Sequence, residues 1–209
     1  MLLPLAEYQQ QAKHEITIVT TNADYPSGVH CPPGWSSIAH GVVPVFYAPV
    51  QFGPLRVSLA LASYLKRAVS EFDIVHIHGL YRFPQTYAAW QARKQGVSYV
   101  VRPHGSIDPY LFSKSSAGSV WLKRLYERWF VLPNLNAANA IHYTAEEERE
   151  RTAFLGLKAT SFVVPNGLDW ERYRELPERG AMRARWGLGE APMVLFLGRL
   201  HFKKGLDLL

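Results

Sequence analysis

Three histidines and two cations stand where side chains can act on a ligand. His104 follows Tyr99-Val100-Val101, a β-branched and aromatic run with the composition of a buried strand, and Pro103 and Gly105 break the chain around it. It therefore falls just past the carboxyl end of a strand, the edge at which open parallel sheets bind ligands. An imidazole there can donate, accept or carry charge near neutral pH. The alternative is a loop histidine bonded to a nearby carbonyl. His76 and His78 share one face of the run FDIVHIH, which Gly79 closes, so His78 is a second candidate for the same cleft. With His104 the pair makes a three-histidine zinc site conceivable. His76 lies deep in its strand and no carboxylate pair completes a hydrolytic set, so no metal is expected. Farther on, Arg199 and Lys204 follow the run Met193–Leu197 and lead towards a helix at Gly205. Two cations on a loop that feeds a helix amino end suit a diphosphate, and two solvated loop charges are the alternative.

The elements that must position these groups alternate between the two periodicities. Strands are expected at Ile16–Thr20, Val42–Tyr47, Phe72–His78, Tyr99–Val101, Asn139–Tyr143, Ser161–Val164 and Met193–Leu197. Pro44 places the second of these at a sheet edge. Helical spacing runs through Leu2–Lys13, Leu61–Phe72, Gln85–Gln95, Val120–Val131 and from Thr144 to Gly156. Thr144 with Glu147 reads as a capping box, and Gly96 and Gly156 as helix stops. Asn22–His40, rich in Pro, Gly, Ser and Asp, reads as a long loop. Strands alternating with helices predict a doubly wound, mainly parallel α/β sheet with right-handed crossovers.

Composition narrows the function classes. The single cysteine, Cys31, excludes an internal disulfide framework and fits a reducing, cytoplasmic setting. No apolar stretch approaches the roughly 20 residues of a membrane span. The net charge of +6 favours anionic partners, but the basic residues are dispersed, which argues against nucleic acid. Within Val120–Val131, Trp121, Leu125 and Trp129 recur in steps of four beside Lys123, Arg124 and Arg128. That pattern fits either a core stripe with a solvated basic face or a helix lying on a membrane surface. The P-loop, the dinucleotide glycine turn and the hydrolase nucleophile elbow are all absent from the sequence.

Four segments in order, RPHGSIDP, FVLPNLNAANAIHYTAEEE, VPNGLDWERY and LGRLHFKKGLDLL, resemble the family 4 retaining glycosyltransferases of the GT-B fold. The resemblance implies a Rossmann-like acceptor domain over 1–164, an interdomain linker and helix over 165–190, and the opening strand and turn of a donor domain over 191–209. It implies that the sheet is truncated at both ends, its opening strand and glycine loop falling before Leu2 and its paired-glutamate motif beyond Leu209. It places His104 against the donor sugar, Arg199 and Lys204 on the donor diphosphate, and Pro165-Asn166-Gly167 at the domain connection. His78, Gly79, Gly105, Asn166 and Gly167 are the cleft or acceptor candidates. The implied activity is sugar transfer from a nucleotide-sugar donor to a glycan or lipid-linked acceptor with retention, with no metal or other cofactor. The 209 residues alone are expected to be inactive, and peripheral membrane contact is compatible with this reading. The competing reading is a non-catalytic module that binds an acceptor or a partner.

Overall fold

The structure is a computed structural model that describes residues 2–23, 34–38, 43–107, 117–176, 178–198, 200 and 204–206. The chain divides into two compact units, Met1–Leu168 and Asp169–Leu209.

The first unit is an α/β, Rossmann-like domain built on two sheets. One holds β1 (Ile18–Thr21), β2 (Gly34–Ile38) and β3 (Val43–Ala48) in the order β1-β3-β2. The other is wholly parallel and holds β4 (Ile74–His78), β5 (Ser98–Arg102), β6 (Ala140–Tyr143) and β7 (Ser161–Val163), in sequence order. Helices α1 (Leu2–Gln11), α2 (Leu59–Ala68), α3 (Phe83–Gln95), α4 (Ala117–Tyr126), α5 (Leu132–Asn136) and α6 (Glu146–Thr152) complete it.

Local chemistry explains the boundaries. Ser58, fully buried, caps α2 by accepting from the Leu61 amide at 3.2 Å. Gly96 ends α3 in the left-handed region at φ 71°, giving its amide back to the last turn. Pro133 has no N–H to return to the helix before it, and the chain passes from α4 to α5 through a π turn at Glu127–Val131. The core of the larger sheet forms where Leu61 and Leu65 of α2 and Ala89 and Ala92 of α3 pack with Ile77, Val101 and Ile141. Those three strand residues stand side by side in the ladder and so share one face, while His76, His78, Arg102 and His142 alternate onto the other.

Three expectations fail here. Pro44 does not put its strand at an edge: β3 lies between β1 and β2. The β1 ladder begins at Val45 opposite Ile18, one residue after the proline, so the missing N–H falls outside it. Part of the expected loop Asn22–His40 is strand β2, antiparallel to β3 from Gly34–Tyr47 to Ile38–Val43. Finally, Met193–Leu197 forms no strand, and Val194 and Leu197 are about nine-tenths exposed (88% and 93%). Among the described residues it has no strand to pair with, and a lone extended segment gains no ladder.

The single expected sheet is divided between β1 and β4. Among the described residues neither strand has a second partner, and both line one cavity of about 610 Å³ with Leu2, Leu5 and Ala6 of α1. The second unit carries a short 3₁₀ turn at Trp170–Tyr173 and helix α7 (Ala181–Trp186).

Candidate functional site

The parallel ladder of the larger sheet sets the site. Its register puts His78 opposite Arg102, so β4 and β5 end together. Gly79 turns the chain away at φ 83° and donates its amide to the Arg102 carbonyl at 2.8 Å. Gln85 donates to the His78 carbonyl at 3.1 Å and fixes the far side of that turn.

After β5 the chain makes a tight turn anchored by two buried apolar residues, Pro103 and Ile107. Between them His104 and Gly105 both take left-handed backbone conformations, at φ 55° and 66°. For histidine this is uncommon and costs roughly 1 kcal/mol. The turn is held there by Glu148, whose Oε1 accepts the Gly105 amide at 2.6 Å. The other oxygen, Oε2, accepts from the Thr144 amide at 2.8 Å and its hydroxyl at 2.9 Å. One carboxylate thus joins the loops that follow β5 and β6. The expected capping box pairs Thr144 with the wrong residue: Glu148 reaches back, and Glu147 instead pairs with Arg151 at 2.6 Å.

His104 is exposed and lines a pocket of about 450 Å³ with Gly105, Thr144, Glu147, Glu148 and Arg151. Its Nε2 lies 3.0 Å from Nδ1 of His78, so one ring donates and the other accepts. A row of rings continues across the sheet. Centroid separations are 5.2 Å for His104–His78, 4.4 Å for His78–His76, 5.5 Å for His76–His142 and 4.8 Å for His142–Phe162. His142 Nε2 lies 2.9 Å from the Val164 carbonyl and must be the donor there. In the neutral ring its Nδ1 then accepts, at 3.5 Å, from His76 Nε2.

Electrostatics disfavour the charged form of three of these rings, His76, His78 and His104. Burial, then the neighbouring imidazoles and Arg102, push His76 down to about 4 and His78 down to about 3. Burial and the Arg102 charge also lower His104, and Glu148 opposes them. Arg102 is itself buried, its Nη2 donating to Oδ1 of Asn166, and burial lowers its own pKa. Its Nε has no partner among the described residues.

Of the three histidines weighed for zinc, His78 and His104 bond ring to ring, while His76 packs against His78 and pairs with His142. No set of three or more metal-ligating side chains is placed to hold an ion among the described residues. Of the other site candidates, Asn166 reaches the site through Arg102, while Gly167 is exposed beside it. Lys204 is exposed in the second unit, and Arg199 lies outside the described residues. Sequence reading passed over Arg102, His142 and Glu148. His142 had a readable signal, its place in the strand NAIHY; the link from Glu148 to Gly105 crosses 43 residues and had none.

Comparison with known proteins gives this edge its context. Residues 1–167 match the family model described as the glycosyl transferase 4-like domain. The chain belongs to that family of glycosyltransferases.

Within it, the chain is 30% identical over 152 residues to a GDP-mannose-dependent alpha-(1-6)-phosphatidylinositol monomannoside mannosyltransferase of Mycolicibacterium smegmatis. That match covers 71% of this chain and 37% of the relative. Sucrose-phosphate synthase from Thermosynechococcus elongatus shares its fold with a TM-score of 0.66 at 18% identity, over 98% of this chain and 50% of the other. This glycosyltransferase chain therefore spans half or less of the length of the proteins it matches. Among its described residues no helix is long and apolar enough to cross a membrane.

Proposed function

We propose that this chain supplies the acceptor side of an enzyme that moves a hexose from a nucleotide sugar to a glycan or lipid-linked acceptor, with retention of configuration. The observation that carries the reading is the His104 turn: a strained, exposed imidazole held by Glu148 and His78 at the carboxyl edge of a parallel sheet. A carboxylate clamp that holds a histidine in a costly backbone conformation favours a fixed position over local stability. The relative's name supports the choice of substrates, since it uses GDP-mannose and a phosphatidylinositol mannoside.

In the proposed step the bond between the anomeric carbon and the diphosphate oxygen breaks, and its electron pair stays on the diphosphate. The acceptor hydroxyl oxygen bonds to the anomeric carbon from the same face, and its proton passes to the departing diphosphate oxygen. His104 holds a hydroxyl of the transferring sugar; it is not assigned as a base. Arg199 and Lys204 meet the negative charge that grows on the leaving group, which stabilises the transition state more than the ground state. That fixed charge would take the part a metal plays in other transferases.

The test uses the polypeptide that carries this chain together with a donor-binding half. With radiolabelled GDP-mannose or UDP-glucose and a phosphatidylinositol mannoside, His104→Ala should lower kcat about 100-fold and leave acceptor affinity within a few-fold. Residues 1–209 alone should bind neither donor in calorimetry and should not turn over. Unchanged turnover in His104→Ala, or turnover by the 209 residues alone, overturns the assignment.

A further inference from the structure

We propose that α4 and the π turn after it form an interfacial helix that seats this domain on an anionic lipid bilayer. The inward face of this segment is fixed by polar contacts. The Tyr81 hydroxyl donates to Glu127 at 2.5 Å, the Tyr126 hydroxyl bonds that of Thr86 at 2.6 Å, and Lys123 Nζ sits 4.4 Å from the Tyr81 ring centre. Those contacts turn the helix so that Trp121, Leu122, Leu125, Trp129 and Phe130 face outwards, with both tryptophans about two-thirds exposed (63% and 65%).

At about 100° per residue, Trp121, Leu125, Trp129 and Leu122 fill one sector of roughly 100°, and Arg124 and Arg128 border it on one side. Both arginines are exposed, and Glu127, the one acid of the segment, points inwards to Tyr81. Five large apolar side chains exposed together on one helix mark a contact surface. Tryptophans beside arginines match the boundary between acyl chains and phosphate headgroups, where amphipathic rings settle and basic groups find negative charge. The overall charge of +6 acts in the same direction. A partner protein would need an acidic rim and an apolar centre in one place, and an anionic bilayer offers both along its whole surface. The anchor of α4 is Tyr81, three residues after His78, so a bilayer bound here lies beside the loop that leads to the candidate site.

The test needs no sugar and is independent of the transfer reaction. Residues 1–209 are floated with vesicles of phosphatidylcholine, alone or with one third phosphatidylglycerol. Binding is expected to the mixed vesicles only, and to weaken between about 0.1 M and 1 M salt as the screening length falls from about 10 to 3 Å. Arg124→Gln with Arg128→Gln should lower partitioning roughly 25-fold, about fivefold for each arginine. Trp121→Ser with Trp129→Ser should reduce it at least tenfold and remove the blue shift of tryptophan fluorescence. Phe154→Ser, at an exposed ring on the turn after α6, should bind as the parent does. Circular dichroism confirms that each variant is folded. Equal binding to neutral vesicles, flotation of the tryptophan variant like the parent, or loss of binding in Phe154→Ser overturns the proposal. So does a dimer without flotation that the tryptophan variant dissociates, which would assign the face to a second copy.

Discussion

Acid should loosen this domain, because His76 and His78 are held neutral. Both have native pKa values, about 4 and about 3, below the unfolded value near 6.5. The unfolded chain therefore takes up protons first. The stability tied to each ring is complete above about pH 6.5 and is lost as pH falls from there towards the native pKa. Between about pH 7.4 and 5, linkage gives close to 2 kcal/mol for each ring, or about 4 kcal/mol for the two. Both are only half-buried and each acts on the other, so solvent screening brings the expected loss to roughly 2 kcal/mol. For a domain of this size that is a fall in Tm of about 6 °C. Urea denaturation followed by circular dichroism, repeated across this range, measures it. The double variant His76→Gln, His78→Asn isolates the two rings from the other histidines and should flatten the profile. A parent whose stability changes by less than about 0.5 kcal/mol, or a double variant with the same slope, refutes the linkage argument.

Two further substitutions test how the His104 turn is held. Gly105→Ala meets no atom within 4 Å, so its cost is that of the backbone alone at φ 66°, about 1–2 kcal/mol in a urea titration. Glu148→Ala leaves the amides of Gly105 and Thr144 without their acceptor and should cost about 2–3 kcal/mol. It should also broaden the His104 ring resonances in NMR, and Glu148→Gln should restore part of both effects.

Apolar spacing located most of the helices, and β-branched and aromatic runs located the four parallel strands. Gly96 and Gly156 marked their helix ends correctly, since a left-handed stop leaves few residues to choose from. The failures share a cause, which is pairing between distant residues. Nothing local says that Gly34–Ile38 has β3 to lie against, or that Met193–Leu197 has no neighbour. His78 and His104 could be placed together because two consecutive parallel strands end in register. Arg102 read as the residue that ends a strand; its burial is set by the neighbouring strands and by Asn166, 64 positions away. Glu148 rather than Glu147 reaches back because the helix is capped at Ala145, one residue after Thr144, which puts Glu148 at its third position.

The break between β1 and β4 has a consequence for how the domain holds together. Among the described residues no backbone ladder crosses it, so the two sheets cooperate mainly through side chains such as those of Leu61 and Leu65, which pack with Ala48 on one side and Ile77 on the other. The outer margins of β1 and β4 carry no ladder among the described residues, so their amides should exchange with solvent without unfolding of the rest. An extended residue fills about 3.3 by 4.8 by 10 Å, so a void of about 610 Å³ has the room of roughly four. One short guest in that void would carry a backbone ladder from β1 to β4 and join both sheets into a single surface.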